Sequence, residues 1–332
     1  MNVPINASPH IVAIGGGGGA SQVLKAAQPF AERLTAIIAV TDTGRSTGLA
    51  RAIGGIPAPG DLRATIANFA TDPQIAALLQ HRFSGAGIPQ LEGMAVGNLL
   101  LAALGQQMGD FGAAVQFLAR LAGTAATVLP VSAANTDLCA ELAEGTRVDG
   151  EVNVRGLGKP PIARLFLREP APALPAALDA IRAADLVVIG PGSLFTSVLA
   201  DLLFDGMADA LAATRGQVVF VCNTTTQPGQ TDGYTTLDHI RRVVEALGPG
   251  TLDAALINRS ALDPARRARF AAEGLFLLEP ADAEIAAIAA LGVRPIVRDF
   301  SEPPGEQRAL WNKQDTVRHD PAALAAALRE LV

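Results

Sequence analysis

The sequence predicts an α/β protein: a Rossmann-like, mainly parallel sheet flanked by helices, with a small antiparallel β insert in the middle of the chain. Three observations predict it. His10–Ile14 is a short apolar run, followed at once by the glycines Gly15 to Gly19 and the helical pattern Ser21–Ala27. Asp185–Gly190 is another strand-like run, apolar after Asp185, that passes through Pro191-Gly192-Ser193 into a helix from Thr196. Between them Val128–Val131, Leu138–Ala143, Arg147–Val152 and Arg164–Leu167 read as short strands, with Glu144-Gly145 as a hairpin turn. We expect a single domain over residues 1–332, with the insert at about 126–168.

The first junction has the order strand, glycine turn, helix start. Glycine lets the backbone turn sharply and lets a phosphate approach, and a helix N-terminus offers free N–H groups with partial positive charge. Gly15, Gly17 and Ala20 fit G-x-G-x-x-A. A second apolar run, Leu34–Val40, ends at Thr41-Asp42, and Asp42 follows Gly17 by 25 residues (42 − 17). A dinucleotide fold places a ribose-binding carboxylate near that position. Taken alone, the glycine pattern also fits an NAD-dependent enzyme or an empty tight turn.

Asp42–Asp61 is rich in Gly, Pro, Ser and Thr and reads as a long functional loop carrying Arg45 and Arg51. Asp61 stands before Leu62–Phe69 as a helix cap. Arg63 lies in that helix's first turn, where a cation opposes the dipole, so it is a candidate to face an anion. Ile75–His81, Leu91–Met108 and Asp110–Leu121 read as helices, and Asn98 sits in the second among small residues, where it needs polar partners. Past Gly190, the strand Gln217–Cys222 ends in Asn223, and Leu252–Asn258 ends in Asn258. Helix Thr236–Leu247 lies between them. Pro264–Glu273 reads as a helix, Leu275–Leu278 and Pro295–Val297 as strands, and Asp320 caps a last helix from Pro321.

Composition narrows the function. The chain has 332 residues, 49% hydrophobic and 17% charged, so a large core is possible. A net charge of −6, one Trp and one Tyr argue against a nucleic-acid surface, which needs a basic face and stacking aromatics. A single nucleotide is not excluded. Cys139 and Cys222 are far apart and fit a reducing compartment. No apolar run reaches the roughly 18–20 residues of a membrane span. The N-terminal stretch before His10 lacks a signal-peptide pattern, so we expect a cytoplasmic protein without membrane partners. His10, His81, His239 and His319 are scattered and read as structural or solvated.

Together the motifs resemble the gluconeogenesis factors, a branch of the 2-phospho-L-lactate transferase superfamily. The resemblance rests on IGGGGGASQVLKA at Ile14–Ala26, VTDTGRSTG at Val40–Gly48, PGDLR at Pro59–Arg63 and VGNLLLAAL at Val96–Leu104. It continues with IGPGSLFTSVLADLL at Ile189–Leu203, CNTTTQPGQTDGYTTLDHI at Cys222–Ile240 and RHDPAALAAAL at Arg318–Leu328. It implies a ligand cleft at the carboxyl edge of the sheet and a nucleotide-type ligand, UDP-sugars such as UDP-N-acetylglucosamine first. It also implies a regulatory role in carbon metabolism and in cell-wall and cell-shape maintenance. The other branch transfers a phospholactyl group and uses magnesium.

Under the first reading, Gly16, Gly17, Gly18 and Gly19 with Gly190, Gly192 and Ser193 hold a diphosphate. Asp42 takes a ribose hydroxyl, Asn223 and Asn258 add polar contacts, and Arg318 pairs with a phosphate or sugar. The alternative is a magnesium-dependent phospholactyl-type transferase in which Asp42 and Asp61 steer the metal and Arg45, Arg51 or Arg63 stabilises charge. This chain departs from the branch's pattern at Gly18, Thr43, Arg45, Ala64, Met94 and Phe270. Where relatives commonly carry glycine it has Arg45. The missing acids near Arg45 weaken a metal site, since hard cations want carboxylate oxygens. Magnesium and association into a homo-oligomer stay open.

Overall fold

The computed structural model describes residues 9–85, 87–260, 264–302 and 318–332. In chain order the elements are β1 (His10–Gly15), α1 (Gly17–Ala27), β2 (Arg33–Ile38), α2 (Arg45–Gly54), α3 (Gly60–Phe69), α4 (Pro73–Gln80), α5 (Val96–Met108), α6 (Phe111–Leu121) and β3 (Thr127–Pro130). A small unit follows: β4 (Leu138–Leu142), β5 (Arg147–Asp149), α7 (Glu151–Val154) and β6 (Ile162–Leu167). Then come α8 (Pro175–Arg182), β7 (Leu186–Ile189), a π-helical turn at Leu194–Val198, α9 (Leu199–Leu202), α10 (Met207–Ala212) and β8 (Gln217–Val221). The chain closes with α11 (Thr236–Leu247), β9 (Ala254–Asn258), α12 (Pro264–Ala272), α13 (Asp282–Ala290), β10 (Arg294–Arg298) and α14 (Pro321–Arg329).

Seven strands form one sheet in the order β10-β9-β8-β7-β1-β2-β3, and every pairing is parallel. Such a sheet is covered on both faces, which is why β1 and β7 are buried along their whole length. Ile14 sits opposite Ile37 on one side and Ile189 on the other. From β1 the chain builds outward through β2 and β3, then returns to β1's other edge with β7. The order therefore reverses between β1 and β7, and connections diverge from their carboxyl ends, leaving a crevice. A separate sheet, β5-β4-β6, is antiparallel.

Several boundaries differ from the sequence reading. The Asp42–Asp61 stretch is not a loop throughout: it contains α2, closed by Gly55 at φ 63°. That helix buries Ser46, Thr47, Ala50 and Arg51 rather than an apolar stripe, so hydrophobic periodicity does not reveal it. β3 is the edge of the parallel sheet, so the antiparallel unit begins after it. Arg147–Val152 stops being a strand at Asp149, because Gly150 at φ 86° turns the chain into α7. Leu275–Leu278 forms only an isolated bridge, Leu277 to Thr225. The N-terminal reading on Met1–Ser8 lies outside the described residues. No described helix is long and apolar enough to cross a membrane.

α1 is packed backbone to backbone. A Cβ on Gly19 would lie 1.7 Å from the Pro191 carbonyl oxygen, and one on Gly17 would lie 2.6 Å from that of Asp61. Gly18 has nothing within 4 Å. Gly19→Ala should therefore destabilise by about 1–3 kcal/mol or more through overpacking, while Gly18→Ala leaves stability unchanged or higher. Chemical denaturation of both variants checks this; equal midpoints would show that the approach of α1 to Pro191 is loose.

Candidate functional site

The carboxyl ends of β1 and β7 open into a cavity of about 420 Å³. It is lined by Gly16, Gly18 and Gly19 of the first glycine turn and by Pro191, Gly192 and Ser193 of the second. Gly16 is the N-cap of α1 and has no side chain to cap it; the first helical amide, that of Gly17, is taken by Asp61, and those of Gly18 and Gly19 have no intrahelical acceptor. Asn223, Arg318 and His319 also line it, and Asp42, Asp61, Glu151 and Arg155 complete it. A larger chamber of about 1150 Å³ adjoins this cavity and shares Asp42, Arg155 and Gln227 with it. The glycine-lined cavity is the inner chamber and the roomier one the outer chamber; they adjoin at these three residues.

Asp61 does not cap its own helix, whose N-cap is Pro59. It lies in the first turn of α3, and its Oδ2 accepts the Gly17 amide at 2.9 Å. It caps the neighbouring helix α1 instead. Asp42 Oδ1 accepts the Gly44 amide at 2.8 Å, which shapes the entrance to α2 and leaves Oδ2 without a partner among the described residues. Ser193 is fully engaged: its Oγ donates to Gln230 Oε1 at 2.7 Å and accepts from Thr196 Oγ1 at 2.8 Å. Asn223 Nδ2 donates to the Gly192 carbonyl at 2.7 Å and so fixes the second glycine turn.

Burial pushes the Asp61 carboxyl up, partly offset by the Gly17 amide, with Asp42 pushing further up and Arg63 and Arg155 pulling down. Glu151 is raised by burial against the pull of Arg155, whose Nη1 is 3.0 Å from Glu151 Oε1. Behind them Asp201 is fully buried with no hydrogen-bond partner on either oxygen, and burial together with Asp61 raises it well above the ordinary value. Carboxyls biased toward the neutral form weaken the repulsion that an anion at the helix end would otherwise meet.

Other expected residues lie elsewhere. Arg63 is buried, donates to Asn98 Oδ1 at 3.0 Å and to Gln80 Oε1, and is lowered to about 10 by burial. Asn98 in turn donates to Ser46 Oγ at 3.0 Å. These two satisfy one another away from the cavity wall. Asn258 Oδ1 accepts the Phe300 amide at 2.8 Å and ties β9 to the segment after β10. Arg51 is locked to Asp137 at 2.9 Å and to Asn135. Gly190, at φ 75°, makes the turn that brings Gly192 to the cavity.

Glu151, Arg155 and Gln227 are cavity residues that the sequence reading does not pick out. Glu151 and Arg155 were hidden by the strand reading of Arg147–Val152; their spacing of four is the signal for an ion pair on one helical turn. His319 also lines the cavity. Its Nε2 donates to the Cys222 carbonyl at 3.1 Å, and its own carbonyl accepts Gln22 Nε2 at 2.9 Å. Among the described residues, no group of three or more His, Cys, Asp or Glu is arranged to hold a metal ion.

Two outcomes follow from this geometry. Asp61→Ala leaves the buried Gly17 amide unpaired and should cost about 1–3 kcal/mol, whereas Asp61→Asn keeps an acceptor and should cost less; urea midpoints of the two variants measure the difference. His319 is lowered to about 4 by burial, from an ordinary value of 6.5. The unfolded chain takes up this proton first, so stability falls as pH drops from 6.5 toward 4. His319→Gln keeps an N–H donor and should remove up to about 3 kcal/mol of that acid sensitivity. Denaturation at pH 7 and pH 4.5 would refute this if both proteins lose the same stability.

The sequence pattern of the 2-phospho-L-lactate transferase CofD family matches residues 11–301. The gluconeogenesis factor of Halalkalibacterium halodurans is 36% identical over 325 residues, covering 97% of this chain and 96% of that protein. The gluconeogenesis factor of Bacillus subtilis is 34% identical, covering 98% of each. A crystal structure of a UPF0052 family member from Bacillus halodurans superposes with a TM-score of 0.87 at 33% identity, covering 98% of this chain and 99% of that one. With the parallel sheet, its reversal between β1 and β7 and the glycine-walled cleft there, these matches establish that the chain belongs to the CofD family.

Proposed function

We propose that this protein binds a nucleoside diphosphate derivative, a UDP-sugar such as UDP-N-acetylglucosamine first among them, and acts as a regulator in carbon metabolism and cell-wall maintenance. The observation that carries the reading is the meeting of two glycine turns at the point where strand order reverses, the first of them forming the start of α1. In this reading the diphosphate lies against Gly16, Gly18, Gly19 and Gly192, where amides and the helix dipole favour an anion. Arg318 and Arg155, which line the same cavity, balance its charge. The free oxygen of Asp42, at the boundary of the two chambers, accepts a ribose or sugar hydroxyl. The outer chamber takes the remainder.

The regulatory assignment draws on the relatives that bear the name gluconeogenesis factor. It also draws on chemistry: the Ser193 hydroxyl is committed to Gln230 and Thr196, which argues against Ser193 as a nucleophile. The family's transferase description favours a second reading, group transfer from a phosphorylated donor. In that reading Asp42, Asp61 and Glu151 are the carboxyls beside the reacting phosphate.

Thermal melts of ligand-free protein with UDP-N-acetylglucosamine, UDP, GDP and NAD test the proposal. At a ligand concentration about 100 times Kd, a binder stabilises by roughly 2.7 kcal/mol. UDP-N-acetylglucosamine should raise the melting temperature, and Asp42→Asn should weaken its binding about tenfold while the unligated melting temperature stays near wild type. Absence of any nucleotide response would overturn the proposal.

A further inference from the structure

Arg45 stands where the two chambers' shared edge turns into α2. Its φ is 35°, and it is the one non-glycine residue with positive φ among the described residues. An L-residue pays a conformational cost there that glycine avoids, and such outliers persist where a site needs the side chain. Arg45 is exposed on the wall of the outer chamber and makes no hydrogen bond or ion pair among the described residues. Its conformation is therefore not explained by any contact of its guanidinium within the fold.

The rest of that wall says what the guanidinium suits. Arg82 and Arg155 line the same chamber; Arg82 donates to the Gly93 carbonyl at 2.8 Å, and Arg155 is held by Glu151. Against these three cations stand Asp42 and Glu92, each already accepting a backbone amide, from Gly44 and Gly85. Of the three guanidiniums, Arg155 is already paired with Glu151, and Arg45 alone makes no hydrogen bond or ion pair among the described residues, so the wall offers one uncommitted cation, which suits one negative charge. Asp42 and Arg155 belong to both chambers, so a ligand anchored at the inner glycine wall reaches the outer chamber with its distal group. A guanidinium fork pairs with a carboxylate through two parallel hydrogen bonds.

We propose that Arg45 is a specificity-determining residue, and that the outer chamber selects a nucleoside diphosphate conjugate whose distal sugar carries a carboxylate. This rests on the nucleotide reading of the inner cavity and departs from UDP-N-acetylglucosamine in one respect, the acidic group on the distal sugar.

Titration calorimetry with UDP, UDP-glucose and UDP-glucuronate, on wild type and Arg45→Gly, tests it. Wild type should bind UDP-glucuronate at least about tenfold more tightly than UDP-glucose, a difference of about 1.4 kcal/mol. In Arg45→Gly that preference should fall to near unity, while UDP affinity and the unligated melting temperature do not drop. Equal affinity of wild type for the two sugars, with UDP still bound, would overturn this inference alone. A preference that survives in Arg45→Gly would overturn the role of Arg45. Failure of all three probes to bind would overturn the nucleotide reading and this inference together.

Discussion

The contact on which the site depends is the 2.9 Å hydrogen bond from the Gly17 amide to Asp61. It joins the first turns of two helices, α1, which follows β1 directly, and α3, which follows β2 and α2. Because Gly17 has no side chain, the backbone of α3 can come close enough for this bond to form. Gly19 does the same for the Pro191 turn on the other side. The end of α1 is thus clamped between two backbones, and its amides are aimed before any ligand arrives. Preorganised amides lose less on binding than amides that must first be gathered.

Electrostatics and topology act on the same place. The reversal of strand order supplies the crevice, and the helix end supplies partial positive charge. Asp61, Glu151 and Asp201 bring carboxyls to the same region, yet burial biases each toward the uncharged form. The antiparallel unit is more than a decoration on the sheet. Through Gly150 and α7 it delivers Glu151 and Arg155 to the cleft, so the boundary between the inner and outer chambers is built jointly by the parallel core and the insert.

Much of this was legible in the sequence, for physical reasons. β1 and β7 are buried on both faces, so they appear as unbroken apolar runs, and glycines that must accommodate a neighbouring backbone appear as an uninterrupted string. The capping of α11 and α14 by Thr235 and Asp320 follows from local chemistry alone. What stayed hidden depends on partners far along the chain. α2 buries polar groups against the insert and α5, so its sequence looks like a loop. The carboxylate of Asp61 bonds to a residue 44 positions away, and nothing local distinguishes that from capping its own helix. Arg63 and Asn98 are polar in apolar surroundings, which in sequence alone points to a ligand; in the fold each is the other's hydrogen-bond partner.

The pairing of Ile14 with Ile189 has a consequence for how the chain is made. These residues are 175 positions apart (189 − 14), and β1 is central only once β7 has docked. At roughly 5–20 residues per second, a ribosome takes about 10–35 s to deliver β7 after β1 has emerged. During that interval β1, with β2 and β3 beside it, is an apolar edge whose backbone groups have no neighbour on one side, the geometry that recruits other chains. The same central position that gives the mature protein its crevice makes the nascent one dependent on early shielding of Ile11–Ile14.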